Sequence, residues 1–384
     1  MIRFFELLTA LILVAVFYVV VGAFLPDQRY VERAAETNHP IRQVYDTLNG
    51  FGRFAEWHPL RMHDPRIVYS TEGEPRGVGA KLNYVSQLPS VGSGSWTIVD
   101  SVQDEYVVYE VENSTYGENK RARFDLTDKG KLVDIKWSYS VDYGWDLRGR
   151  YAGMYVSRNV GDDIQAGLAN LVGLIATMPN FDYKALEIAE TMVEPQHLLF
   201  VATTSDRNIT AVENAMVTAL EAVRKAAADN KLEVAGPARL ITTNFGSEKY
   251  EFDVALPVRR PLAEDDATTT DAPAETEDAA DAGVDTVTAA LAEAGLPPPM
   301  PVLEPLEGLN LPENVLQAPG YSGRAVRAVY KGHPAALPLV RDMLRSYASA
   351  HGEAIHDRAF EEYLSDIDST AAEDAEFNVY WPVK

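Results

Sequence analysis

The sequence predicts an α+β protein, one N-terminal apolar helix followed by two modules built on antiparallel sheets. Three observations carry that prediction. Residues 7–25 form an uncharged run. Residues 29–178 read as strand, helix, several strands and one long helix. Two nine-residue stretches then echo each other, EFDVALPVR at 251–259 and EFNVYWPVK at 376–384. Six of the nine echo positions are identical or exchange Arg for Lys, and each copy lies downstream of a surface-type helix. That pattern is an internal duplication, and the C-terminal half is organised around it.

Composition narrows the functional classes. At 384 residues the chain can hold two or three domains, each with its own core. The net charge of -23 opposes nucleic acid, whose phosphates select a basic surface, and disfavours docking on anionic lipid through a basic patch. The charge is concentrated: between Pro261 and Ser322 there are thirteen Asp and Glu and no Lys or Arg, leaving -10 elsewhere. With no cysteine, disulfides, thiolate zinc sites and thiol catalysis are excluded. No cofactor is expected.

The run LLTALILVAVFYVVVGAFL spans roughly 28 Å as a helix, close to one bilayer core. It is longer than the apolar core of a cleaved signal peptide, and its one candidate processing site, Val21-Gly22-Ala23, is weak. The expectation is an uncleaved single-pass anchor in a bacterial inner membrane. Arg3 and the amino terminus balance Arg29 and Arg33 across it. The large folded mass behind so short a tail points the soluble domains to the periplasmic side.

RYVERAAET reads as the opening strand of the first module. His39-Pro40 starts a helix with Ile41, Val44, Tyr45 and Leu48 on one face. Gly-rich breaks separate the strands KLNYVSQ, SGSWTIVDSV, EYVVYEVEN, RARFDLTD and KLVDIKWSYSVDY. The last alternates Val133, Ile135, Trp137, Tyr139 and Val141 with Asp134, Lys136, Ser138 and Ser140, as a half-buried antiparallel strand does. The closing helix aligns Val160, Ile164, Leu168, Leu171 and Ile175, and its three glycines, Gly161, Gly167 and Gly173, imply close approach to something.

With the opening VERAAETNHPIRQVYDTLNGFGRFAEWHP, the strand VGSGSWTIVDSV and the helix DLRGRYAGMYVSRNVGDDIQAGLANL, residues 29–178 resemble the SRPBCC (START-like, polyketide cyclase/dehydrase) superfamily. The resemblance implies a helix-grip fold, in which a curved antiparallel sheet wraps a long C-terminal helix around an apolar cavity. Trp57, Trp96, Tyr109, Trp137 and Tyr139 are then candidates for the cavity lining, or fill the core. His58 and His63, with Asp64 adjacent, give an H-x4-H in a Pro-rich loop; no element there orients both rings toward a metal.

Residues 179–196 read as a connector. HLLFVATT opens the second module, and a helix follows from about Ile209 to Ala228 with Val212, Met216, Leu220 and Val223 on one face. Strands over LEVAGPARLITTN and KYEFDVALPV close the first half-repeat. An acidic, Thr/Ala-rich insertion at about 263–305 has the composition of disorder. YSGRAVRAVYKG is then a strand, and a helix from about Pro334 to Ala350 buries Leu337, Val340, Leu344 and Ala348. AFEEYLSD and the terminal echo are strands.

The order strand–helix–strand–strand, twice, together with GRAVRAVYKG, FEEYLSDIDST and VYWPVK, resembles the GyrI-like effector-binding domain over 197–384 less the insertion. That resemblance implies a ligand cleft and a Glu two residues before a Tyr, supplied here by Glu361 and Tyr363, with cationic or apolar ligands. Strand period puts Ala359, Glu361 and Tyr363 on the face opposite Phe360 and Leu364, and the latter pair is expected to meet the helices. The first half-repeat has Leu240 and Ile241 in the corresponding place, so an acidic site is one-sided.

These features predict a membrane-anchored protein that binds or carries small hydrophobic or amphipathic ligands. A cyclase or hydrolase using Glu361 and Tyr363 is the first alternative, and a protein that binds a macromolecular partner of unknown identity is the second.

Overall fold

Helix α1 (Ile2–Phe24) opens the computed structural model, which describes residues 2–261, 303–365 and 370–384. Its segment Phe4–Phe24 is long and apolar enough to cross a membrane and is almost wholly exposed; a signal sequence has the same character. The rest of the chain divides into two compact units, Met1–Ala185 with Arg345–Glu353, and Leu186–Leu344 with Ala354–Lys384. The insertion expected at about 263–305 lies, as far as Val302, outside the described residues.

The first unit is a seven-stranded antiparallel sheet. Strand β1 (Gln28–Thr37) is followed by α2 (Ile41–Leu48) and the single turns α3 (Phe54–Trp57) and α4 (Leu60–His63). A meander follows of β2 (Val68–Gly73), β3 (Ala80–Val85), β4 (Ser93–Val102), β5 (Tyr106–Asn113), β6 (Glu118–Asp128) and β7 (Val133–Asp142). The spatial order β1-β7-β6-β5-β4-β3-β2 brings the first strand back beside the last, Gln28 opposite Asp142. Register shifts at Ile98/Asp100 and at Glu118/Arg121 bend the sheet, as bulges do.

Helices α5 (Leu147–Gly153) and α6 (Val156–Ile175) close the unit. Ile164, Leu168, Leu171 and Ile175 of α6 are buried with Ile135 and Trp137 of β7 in one core. Two of the three glycines of α6 sit at close approaches. A Cβ on Gly167 would fall 2.6 Å from Trp137 Cζ3 and 3.0 Å from Pro59 Cδ, and one on Gly161 would fall 2.6 Å from the Arg33 guanidinium. Gly173 has nothing within 4 Å, so close packing does not explain it.

The second unit carries the duplication visibly. The first half-repeat is β9 (His197–Asp206), α7 (Ile209–Asp229), β11 (Ala238–Phe245) and β12 (Lys249–Arg259), with the short β10 (Glu233–Val234) beside β12. The second is β14 (Gly323–Lys331), α8 (Leu337–His351, its residues from Arg345 on grouped with the first unit), β15 (Phe360–Tyr363) and β16 (Glu376–Pro382), with β13 (Leu316–Pro319) before it. The sheet runs β13-β9-β12-β11-β15-β16-β14-β8. Each half thus has the same order mirrored about the β11·β15 seam, and the echoing strands β12 and β16 occupy equivalent places.

Strand β8 (Ile188–Val193) lies within the stretch read as a connector. It pairs with β14 along Gly323↔Val193 to Ala328↔Ile188, the counterpart of β13 on β9. Its sequence IAETMV is too short and too weakly alternating to announce a strand; the exposed edge of β14 organises it. Asn208 starts α7 by accepting a hydrogen bond from the Ala211 N–H at 2.9 Å.

Candidate functional site

The floor of a cleft of about 760 Å³ in the second unit is the β11·β15 seam, where Leu240 pairs with Glu361. Its walls are the N-terminal halves of α7 (Ile209, Val212, Met216) and α8 (Leu337, Pro338, Arg341), and Phe245, Tyr250, Tyr363 and Phe377 complete the lining. Glu361 and Tyr363 therefore lie together in one cleft. The cleft is on the helix side of the sheet, which corrects the expected orientation. The alternation along β15 is as read, but both faces of this sheet are apolar. Phe360 faces a second cluster, with Val193, Ala325 and Tyr380, so an apolar residue does not say which face the helices cover.

Glu361 is 1% exposed and its Oε1 lies 3.4 Å from Arg341 Nε, itself buried. Among the described residues Glu361 Oε1 accepts no hydrogen bond. Arg341 Nη1 donates to the Tyr250 hydroxyl at 3.1 Å and to Thr242 Oγ1, and Tyr250 and Thr242 are themselves 2.8 Å apart. Burial pushes the Glu361 carboxyl above the usual range, and the Arg341 charge opposes that push. Burial, then the Glu361 charge, raises the Tyr363 phenol, and the same two causes push Tyr250 up to about 12. The cleft floor is thus an acid and a base already set against each other, framed by two phenols.

Arg341 is absent from the sequence prediction, though a signal exists. It sits four residues after Leu337 and three before Leu344, a charge inside an apolar stripe, and such a charge needs a buried partner. Glu362 faces the other way. It takes Arg239 Nη2 at 2.8 Å, the Tyr380 hydroxyl at 3.0 Å and Asn378 Nδ2 at 3.1 Å, which satisfies its carboxylate. That network is structural.

A second cavity, of about 600 Å³, lies in the first unit between sheet and α6. Trp96, Trp137 and Tyr139 line it, with Tyr84 and Val111 from the sheet and Val156, Val160 and Ile164 from the helix. Trp57 and Tyr109 are fully buried and belong to the core; the Tyr109 hydroxyl donates to the Leu48 carbonyl. The lining is mostly apolar, with Tyr84, Asn113, Asn159 and Asp163 among its polar groups, and the buried Trp137 Nε1 donor has no acceptor among the described residues. His58 is a core residue stacked on Phe54 at 4.2 Å, and burial pushes its pKa down to about 3. His63 pairs with Asp163 at 2.9 Å and Asp64 accepts from Ser86, so the three groups do not converge.

The fold and its two cavities define an α+β protein with a ligand-sized site in each antiparallel-sheet unit. No family model matches the chain, and no curated protein matches it. Among solved structures it is similar to the di-domain ARO/CYC StfQ from the steffimycin biosynthetic pathway, at 11% identity and TM-score 0.32, over 38% of this chain and 50% of that one. It is similar to the EcmrR C-terminal domain at 10% identity and TM-score 0.34, over 52% and 98%. It is also similar to a hydrolase from Listeria innocua at 13% identity and TM-score 0.31, over 52% and 92%.

Proposed function

We propose that this chain is a membrane-anchored protein that binds or carries small hydrophobic or amphipathic molecules. A START-like domain over 29–178 and a GyrI-like domain over 197–384 follow a single-pass anchor over 1–26. One observation carries the reading: each unit encloses a cavity of ligand size, mostly apolar, with a few convergent polar groups. Trp96, Trp137 and Tyr139 contact ligand in the first, Glu361 and Tyr363 in the second. Because Arg341 neutralises Glu361, the cleft suits an uncharged or zwitterionic head group better than a simple cation.

Native mass spectrometry of gently purified full-length protein tests the reading, with Val160→Trp and Val212→Trp filling one cavity each. The expected result is a co-purifying molecule lost from one variant. Protein that carries nothing, and that takes up no apolar probe in either cavity, would refute it.

The buried, upward-shifted Glu361 carboxyl supports a second reading, a hydrolase or cyclase with Glu361 as general base and Tyr363 assisting. Turnover of an ester or lactone that Glu361→Gln abolishes, while leaving binding intact, would favour it over carriage.

A further inference from the structure

Helix α1 is fastened to its unit by side chains. The Tyr18 ring stacks on Tyr151 at 4.6 Å, and the Tyr151 hydroxyl donates to the Tyr18 carbonyl at 2.9 Å. Arg150 Nη1 donates to the carbonyls of Ala23 and Leu25 at 3.0 and 3.1 Å, taking up acceptors that the end of α1 leaves free. A Cβ on Gly22 would meet Leu147 and Tyr151 at 3.1 Å. Helix α5 therefore lies against the last two turns of α1, and those turns belong to the segment able to cross a membrane. When α1 enters a bilayer, α5 is held at the depth of the head groups.

The residues exposed around α5 match that depth. Trp145 is 81% exposed, Tyr155 62% and Met154 46%, and they lie among the exposed Arg148 and Arg158, with Asp146 the one exposed acid of the stretch. Trp and Tyr favour the membrane–water boundary, and Arg favours anionic head groups. Over 145–158 the exposed charges are two Arg against one Asp, in a chain whose net charge is -23. Ala152, Tyr155 and Val156 of the same stretch, and the following Asn159, also line the first-unit cavity.

We propose that the Trp145–Arg158 surface is a second membrane contact, seated in the head groups of a bilayer containing anionic lipid. It presents the mouth of the first-unit cavity to the lipid, so that an apolar ligand passes between bilayer and cavity without crossing water. This rests on the anchor and cavity reading above.

The cysteine-free chain permits a direct test. Trp145→Cys, Tyr155→Cys, Val14→Cys and Lys131→Cys are made singly in the full-length protein and labelled with a polarity-sensitive fluorophore. Each is reconstituted in vesicles of phosphatidylethanolamine and phosphatidylglycerol containing nitroxide-labelled lipid. Val14 reports the anchor; Lys131, in the turn at the far end of β7 from α5, reports the aqueous side. Labels at 145 and 155 should lose fluorescence to the nitroxide and the label at 131 should not. If 14 is quenched while 145 and 155 behave like 131, the second contact is refuted and the anchor stands. If those two labels are shielded from aqueous iodide yet unquenched by lipid, protein covers the surface and the proposal is equally refuted. If 14 is unquenched, the anchor reading fails and takes the proposal with it. The passage is tested by uptake of a pyrene-labelled fatty acid from the same vesicles. Trp145→Asp with Met154→Asp, both exposed and outside the cavity lining, should slow transfer several-fold and leave affinity for that probe in detergent unchanged. An unaltered rate would refute the direct passage.

Discussion

Arg341 Nε and Glu361 Oε1 lie 3.4 Å apart on the floor of the second-unit cleft, both buried, one on a helix and one on a strand. The pair ties α8 to the β11·β15 seam and sets the polarity of the site. Removing one partner strands the other in a medium that solvates charge poorly.

Glu361→Gln should therefore lower stability by about 3 kcal/mol, because it leaves the Arg341 charge uncompensated. The double variant Glu361→Leu with Arg341→Met should recover most of that loss. Denaturant unfolding of the three proteins checks it, and an unchanged Glu361→Gln would show that Tyr250 and Thr242 suffice for Arg341.

The network on the other face of the same strand should behave differently toward ligand. Glu362→Gln breaks a satisfied buried pair with Arg239 and should cost about 3–5 kcal/mol of stability. Affinity of the folded protein for any cleft ligand should hold within a factor of about two, since a site facing away couples weakly. Calorimetric titration below the unfolding transition decides it.

Two glycines six residues apart in α6 should respond with opposite sign. Gly167→Ala forces a Cβ into Trp137 and Pro59 and should cost about 1–3 kcal/mol. Gly173→Ala meets nothing and should gain up to about 1 kcal/mol from helix propensity. Thermal unfolding of both variants tests the contrast, and equal shifts would contradict the packing described.

Asp46 gives the first unit a pH dependence. Burial first, and the neighbouring Asp104 second among the causes that raise it, lift its pKa from 3.8 to about 6 against the hydrogen bond from the Tyr183 hydroxyl and the Arg42 charge. A folded-state pKa above the unfolded one means the native state holds the proton more tightly. The contribution is therefore fully present below pH 3.8 and is lost as pH rises through about 6. It amounts to roughly 3 kcal/mol. Asp46→Asn should flatten stability across that window, as unfolding midpoints between these pH values would record.

Much of this was legible because periodicity reports burial. The stripes Leu337, Val340, Leu344, Ala348 and Ile164, Leu168, Leu171, Ile175 are buried where the sequence put them, and the two echoing strands hold equivalent positions. Period-two alternation separated Glu361 from Glu362. It could not say which side the helices cover, because Phe360 is as buried on its side as Tyr363 is packed on the other. Strand β8 and the docking of α5 on α1 were not legible, since both depend on partners distant in sequence.

The duplicated sheet has one further consequence. Equivalent halves meeting at β11·β15 would build a cleft with two like ends, in which an elongated molecule could lie either way round. Leu240 stands where the other half has Glu361, and the two are directly paired. A carboxylate on only one of the two seam strands makes the floor of the cleft unlike at its two ends, a head and a tail in an otherwise doubled frame.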